Sequence, residues 1–188
     1  MSTEPSSRIS TDPDFRYSWY ARLFFANQRR RYGKELEPAR LWARTPKVFA
    51  ALSLLYGALD CRRSPIEPAL RSLITVRVSQ INWCAFCVDI NSATGLKRGI
   101  SDAQLAALPE FATSPLFDER QKAALAYAEA ITRTDVGVDD ALMARVKACF
   151  DDDAVIEPTA LIAFQNMSSK FNSALDVAPQ GFCRLPRK

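Results

Sequence analysis

Across most of this chain apolar residues recur every three or four positions, the spacing of helices buried on one face. Phe15 to Arg31 carries Tyr17, Trp19, Tyr20, Leu23, Phe24 and Phe25, then runs into Arg29, Arg30, Arg31 and Gly33, a basic last turn followed by a stop. Pro46 predicts the first turn of a second helix, PKVFAALSLLYGALD. Ser101 with Gln104, and Asp118 with Gln121, have capping-box spacing and open SDAQLAAL and DERQKAALAYAEAITR. Asp139 precedes ALMARVKACF. A last helix is expected from about Asp153 to Leu175, with Ala160, Phe164, Met167, Phe171 and Ala174 as its apolar stripe and Pro158 in its first turn or at a bend. Pro65 to Ile81 is ambiguous, because LITVRVSQI alternates like a strand while the run beginning at IEPALRS is long enough for a helix. The pattern predicts about seven or eight helices and at most one strand. A lone strand has nothing to pair with, so the fold class is all-α, in one domain over residues 15–180 with a disordered leader at 1–14 and an aperiodic tail at 181–188.

Composition narrows the chemistry. The 188 residues, 48% hydrophobic and 24% charged, fit a single globular domain. A net charge of +4 gives weak grounds for a nucleic-acid partner or an anionic membrane. Histidine is absent, which excludes Ser-His-Asp and Cys-His nucleophile systems, the HExxH zinc site and any imidazole proton carrier. No signal-peptide h-region and no stretch near the roughly 18 apolar residues of a membrane span can be found. The expectation is a cytoplasmic protein in a reducing compartment, where close cysteines are redox-active or metal-binding more often than permanent staples.

Five cysteines stand at 61, 84, 87, 149 and 183, and only Cys84 and Cys87 are close in sequence. With Asn82 as N-cap, WCAFCVDINSATGLKRG reads as a helix closed by Gly99. Cys84 and Cys87 then share a face of the first turn, with Asn91 one turn further on. The unpaired N–H groups of a helix start stabilise a thiolate, whereas a free thiol is only about 3% ionised at pH 7. Two-thiol redox chemistry follows, in which one thiolate attacks a peroxide or disulfide and its neighbour resolves the product. Two buried packing cysteines are the plain alternative. Zinc is disfavoured because no second CxxC and no histidine completes a tetrahedral site, and neither a metal nor a cofactor is expected. Cys61, Cys149 and Cys183 read as core or incidental thiols. WCAFC after an alternating run is superficially similar to thioredoxin, but that fold needs several strands, so the helical reading of 65–81 is preferred.

ALRSLITVRVSQINWCAFCVDINSATGLKRGISDAQLAAL, followed by RQKAALAYAEAITR and ALIAFQNMSSKFNSALDV, resembles the carboxymuconolactone decarboxylase and alkylhydroperoxidase D-like superfamily over roughly residues 40 to 180. The resemblance implies an all-helical fold assembled as trimers or hexamers and, in the branch bearing CxxC, a thiol peroxidase or disulfide reductase with an antioxidant role. The decarboxylase branch generally does not work through a cysteine pair. By the same resemblance Cys87 is the peroxidatic cysteine, and Cys84 its proton donor and resolving partner. Family peroxidases place a glutamate twelve residues before the first cysteine and a histidine four after the second; here those positions hold Ser72 and Asn91. Neither is a base near neutral pH, though both can hydrogen-bond or hold a water. General acid–base assistance is worth about 10² to 10⁴ in rate, so a slow peroxidase, or one suited to disulfides, is expected.

Arg77, and Arg71 beside Ser72, could supply a positive field in place of the imidazole, or be ordinary ion-paired arginines. Glu129 and Glu157 could fold back as a surrogate base, or be solvated. Asp89, two residues past Cys87, points to another side of the helix and is left out of the site. The basic cluster Arg29, Arg30, Arg31 and Lys34 complements the helix dipole and needs no nucleic acid. The aromatic patch from Phe15 to Phe25 is too large for one stripe and predicts a subunit contact, with a membrane surface as the runner-up. Partners are thus a hydroperoxide or disulfide substrate, a thiol reductant and further copies of the chain. A non-catalytic oligomeric scaffold and a small-acid lactone decarboxylase remain alternatives, the latter offering arginines without a base.

Overall fold

A computed structural model of the chain describes residues 7–9, 14–61 and 63–183. Among them are nine α-helices, a 3₁₀ turn (Leu108–Glu110) and no strand. The helices are α1 (Trp19–Tyr32), α2 (Glu37–Trp42), α3 (Pro46–Leu59), α4 (Pro68–Ile81), α5 (Ala85–Lys97), α6 (Asp102–Ala107), α7 (Glu119–Thr132), α8 (Asp140–Lys147) and α9 (Asp152–Ala174). The additional helix is α2, six residues entered through Pro38 and too short to show a period. Both predicted capping boxes form, with Ser101 and Asp118 each accepting the N–H three residues on. Asp139 and Asp151 cap α8 and α9 in the same way. The expected leader and tail lie mostly outside the described residues; within the described part, the Arg8 N–H donates to Leu175 O at 2.7 Å.

The ambiguous segment 65–81 contains the central helix. In α4, Leu70, Leu73, Ile74, Val76 and Val78 are buried together with Arg71, Ser72, Arg77 and Ser79. A helix enclosed by neighbours needs no polar face, so its sequence loses the 3.6-residue contrast and can pass for a strand. Around it the main core draws on α7, α8 and α9 through Leu125, Ala128, Val146, Leu161 and Ile162. Gly95 lets α5 approach closely: a Cβ there would stand 2.9 Å from Ile100 Cδ1 and 3.5 Å from Ser72 Cβ.

Two stretches pack differently from their sequence pattern. Most of the Phe15 to Phe25 aromatics pack within the chain, where Tyr17, Tyr20, Phe24 and Phe25 surround Phe49 of α3 in a second core; only Trp19 and Leu23 stay well exposed. In α9 the buried face is not the Ala160–Phe164–Met167–Phe171–Ala174 stripe. Its inward positions are Ala154, Val155, Pro158, Leu161 and Ile162, continued by Gln165, Ser169 and Asn172. Three polar residues turned inward on one helix require partners, and those partners lie around the cysteines.

Candidate active site

The turn between α4 and α5 places the cysteines. The Trp83 N–H donates to Gln80 O at 3.2 Å and the Cys84 N–H to Ser79 O at 3.0 Å, closing α4 with Trp83 in the left-handed region at φ 54°. Glycine usually fills that position; a side chain there costs about 1–2 kcal/mol. Cys84 follows in extended conformation as the N-cap of α5, and its Sγ accepts the Cys87 N–H at 3.1 Å. The predicted N-cap, Asn82, is instead the last residue of the α4 closure and donates to Asn166 Oδ1 and Ser169 Oγ, both at 2.8 Å. The helix starts two residues later than its best capping side chain because the left-handed turn at Trp83 intervenes. A sulfur therefore stands directly on the unpaired N–H end of the helix.

Cys84 and Cys87 have their Cα atoms 5.2 Å apart and their sulfurs in contact at near-disulfide separation. They are 1% and 3% exposed, backed by Leu41, Phe86 and Val177. Each nevertheless lines a cavity, and the two cavities lie on different faces of α5. Cys87, with Phe86, Ile90, Asn91 and Thr94, borders a cavity of about 200 Å³ whose far wall is Trp42, Phe49, Tyr56 and Phe164. None of its lining residues is an Asp, Glu, Lys or Arg. Cys84, with Ala85, Val88, Asp89 and Ser92, borders an open concavity of about 680 Å³ closed by Pro179, Gly181 and Cys183. The two share no lining residue.

Behind the sulfurs is a layer of neutral amides and hydroxyls. Asn172 donates from Nδ2 to Cys87 Sγ at 3.2 Å, is only 2% exposed, and its Oδ1 has no hydrogen-bond partner among the described residues. Gln165 Nε2 and Asn91 Nδ2 both donate to Ser79 Oγ, at 2.9 and 3.3 Å, and that hydroxyl donates to Thr75 O. Tyr56 completes the wall. Nearly half its surface is open, yet its hydroxyl end sits among dense protein, and burial together with the Asp60 charge pushes the phenol up to about 12. It stays a neutral donor at physiological pH.

Of the residues singled out from sequence, Asn91 lines the aromatic cavity beside Cys87. Ser72 lies behind it, lining with Asn91 a smaller cavity of about 40 Å³, where its Oγ accepts from Arg98 at 3.2 Å. Arg98 holds Asp60 through two 2.8 Å bonds, and Arg71 joins that cluster. Arg77 turns elsewhere: its Nε donates to Glu129 at 2.6 Å and Nη1 to Gln80 at 3.0 Å, so these two charges satisfy one another outside both cavities. Glu157 lines none of the three cavities. Asp89, left out of the sequence-derived site, borders the Cys84 concavity and accepts the N–H groups of Gln180 at 2.9 Å and Cys183 at 2.7 Å. Sequence reasoning also missed Asn172, Gln165 and Asp60. The signal available for the first two was their 165–169–172 polar spacing with Ser169; Asp60 offered none.

Comparison with known proteins follows the same outline. The carboxymuconolactone decarboxylase family profile matches residues 46–130. The uncharacterized protein YnjA of Escherichia coli (strain K12) is 46% identical over 160 residues, 85% of this chain and 88% of its own. The alkylhydroperoxidase AhpD core structure of an uncharacterized peroxidase-related protein from Ralstonia eutropha JMP134 superposes with a TM-score of 0.85 over 96% of both chains at 19% identity. A cysteine-to-alanine variant of the debrominase Bmp8, in complex with 2,3,4-tribromopyrrole, superposes with a TM-score of 0.76 over 87% of both chains at 21% identity. The matched segment, the near full-length relative and the common helical architecture lead to one conclusion: this chain belongs to the carboxymuconolactone decarboxylase and alkylhydroperoxidase D-like superfamily.

Proposed function

We propose that the protein is a thiol oxidoreductase that reduces a small neutral substrate at Cys87 and is left with a Cys84–Cys87 disulfide. The observation that carries this reading is the sulfur pair itself, in contact at a helix start, with Cys87 facing a cavity free of charged residues. With a hydroperoxide, the Cys87 thiolate attacks the outer oxygen, the O–O bond breaks and the alcohol leaves after taking a proton. The resulting sulfenic acid is attacked by the Cys84 thiolate; the S–O bond breaks, the disulfide forms and water departs with the second proton. With a disulfide substrate, the same two attacks release two thiols. The Asn172 amide holds the negative sulfur of Cys87, and the Cys87 N–H at the helix start holds that of Cys84. No base lines the aromatic cavity, which supports modest peroxide rates and favours substrates whose leaving group needs little protonation.

The aromatic lining, together with the fold shared with a debrominase that binds a bromopyrrole, supports a second reading. Here the same dithiol removes halogen from a small ring: the ring gains hydrogen, halide leaves, and two thiols become one disulfide. Both readings are tested by titrating pre-reduced protein with cumene hydroperoxide, cystine or 2,3,4-tribromopyrrole and counting thiols by mass spectrometry. Loss of two thiols per chain, requiring both Cys84 and Cys87 for its full rate, is expected with at least one substrate. Thiols inert to all three would leave a non-catalytic scaffold as the better account.

A further inference from the structure

Cys183 lies ninety-nine residues from Cys84 in sequence, yet both stand on the wall of the 680 Å³ concavity, across α5 from the aromatic cavity. We infer that Cys183 is a third redox thiol, which takes the disulfide over from the Cys84–Cys87 pair and passes it to the reductant on the side of α5 away from the substrate. The inference rests on the proposed thiol oxidoreductase function.

Three features hold the thiol there. Asp89, on the same face of α5 as the concavity, binds the backbone N–H of Cys183 at 2.7 Å and that of Gln180 at 2.9 Å. Gln180 is tied a second time, accepting the Glu37 N–H and donating to Glu35 O, both at 3.1 Å. Phe182 packs edge-on against Tyr32 and Phe86, with the Lys34 ammonium 5.0 Å from its ring centre. The segment is thus fastened on either side of Gly181, whose φ of +74° only glycine adopts freely, and Cys183 follows the last fastening, half-buried. A buried carboxylate that spends both oxygens on two backbone amides beside a redox cysteine fixes a strap, and what the strap brings to the concavity is a thiol. Tethered in this way, the thiol acts at about millimolar effective concentration or above.

The exchange is balanced without an outside oxidant. The Cys183 thiolate attacks Cys84 Sγ, the Cys84–Cys183 bond forms, the Cys84–Cys87 bond breaks, and Cys87 leaves with the electron pair. The proton shed by Cys183 passes through solvent in the concavity to Cys87 or remains in bulk. An external thiol then attacks Cys183, and a second equivalent releases it as a disulfide, restoring three thiols. Because the two cavities share no lining residue, bound substrate would not obstruct this return path.

The test uses the full chain as wild type, Cys183→Ser, Cys87→Ser, and Cys61→Ser as the control for a thiol outside both cavities. Pre-reduced Cys87→Ser is oxidised with diamide and mapped by non-reducing digestion and mass spectrometry; an intramolecular Cys84–Cys183 linkage is expected as the main product. Oxidised wild type is separately reduced with glutathione, and recovery of thiols is timed. Cys183→Ser should recover about fivefold to tenfold more slowly, and Cys61→Ser at the wild-type rate. Recovery of Cys183→Ser within twofold of wild type, or Cys84 in Cys87→Ser found only in intermolecular adducts while Cys183 stays free, overturns the relay. A wild-type pair that never cycles overturns the oxidoreductase reading and the relay together; a pair that cycles without regard to Cys183 overturns the relay alone.

Discussion

Replacing Asn172 with leucine isolates what one neutral amide does for the Cys87 sulfur. Its Nδ2 lies 3.2 Å from Cys87 Sγ, the side chain is 2% exposed, and Oδ1 is buried without a partner. A hydrogen bond to a charged acceptor contributes about 1.5–3 kcal/mol, and sulfur, a weaker acceptor than oxygen, places this one near the lower figure. Because about 1.4 kcal/mol is tenfold, Asn172→Leu should lower the thiolate fraction at neutral pH about tenfold. The assay is the rate of iodoacetamide alkylation of Cys87 in pre-reduced protein as a function of pH, read peptide by peptide. The variant should be about tenfold slower at pH 7 and converge on wild type once both thiols are fully ionised, because only the ionisation has changed. Stability should move the other way: leucine removes an orphaned acceptor that costs about 1–3 kcal/mol, so the melting temperature should hold or rise. A slowing of equal size at every pH would mean that leucine merely blocks access, and an unchanged profile would mean that the amide does not hold the sulfur's charge. Either result refutes the argument.

Ser72→Glu combined with Asn91→His should raise hydroperoxide turnover by about 10² or more in steady-state peroxide consumption, with Arg98 positioned to hold the new carboxylate. No rise would count against a peroxide-shaped site. Trp83→Gly should stabilise the fold by about 0.5–1 kcal/mol, since the left-handed strain of about 1–2 kcal/mol exceeds the flexibility glycine adds and the ring, 87% exposed, packs little. Thermal denaturation checks this, and a lower melting temperature would show that the indole does pack. Wild type should self-associate through the exposed Trp19 and Leu23 face of α1, with Leu23→Lys shifting it towards monomer in light scattering; a wild-type monomer at micromolar concentration would dismiss that surface as an interface.

Local chemistry was legible in the chain by itself. The capping boxes at Ser101 and Asp118, the Asp139 cap, Pro46 at a helix start and Gly33 after a basic turn each act within four residues, so the helices they bound could be read without knowing their neighbours. The absence of histidine and the Cys84–Cys87 spacing likewise limited the chemistry before any packing was known. Tertiary structure alone decided what faces what. Helix α4 is buried all round, so its sequence could not say which period it obeyed, and the second half of α9 turns Gln165, Ser169 and Asn172 fully inward while Phe164 and Phe171 of its apolar stripe are only half-buried. The Asn172 contact with Cys87, the Arg77–Glu129 pair and the Asp89 hold on Cys183 join residues between 52 and 94 positions apart. No local preference encodes such pairings: they arise when packed helices leave buried polar groups that must find partners, and only the assembled core determines which partners are within reach.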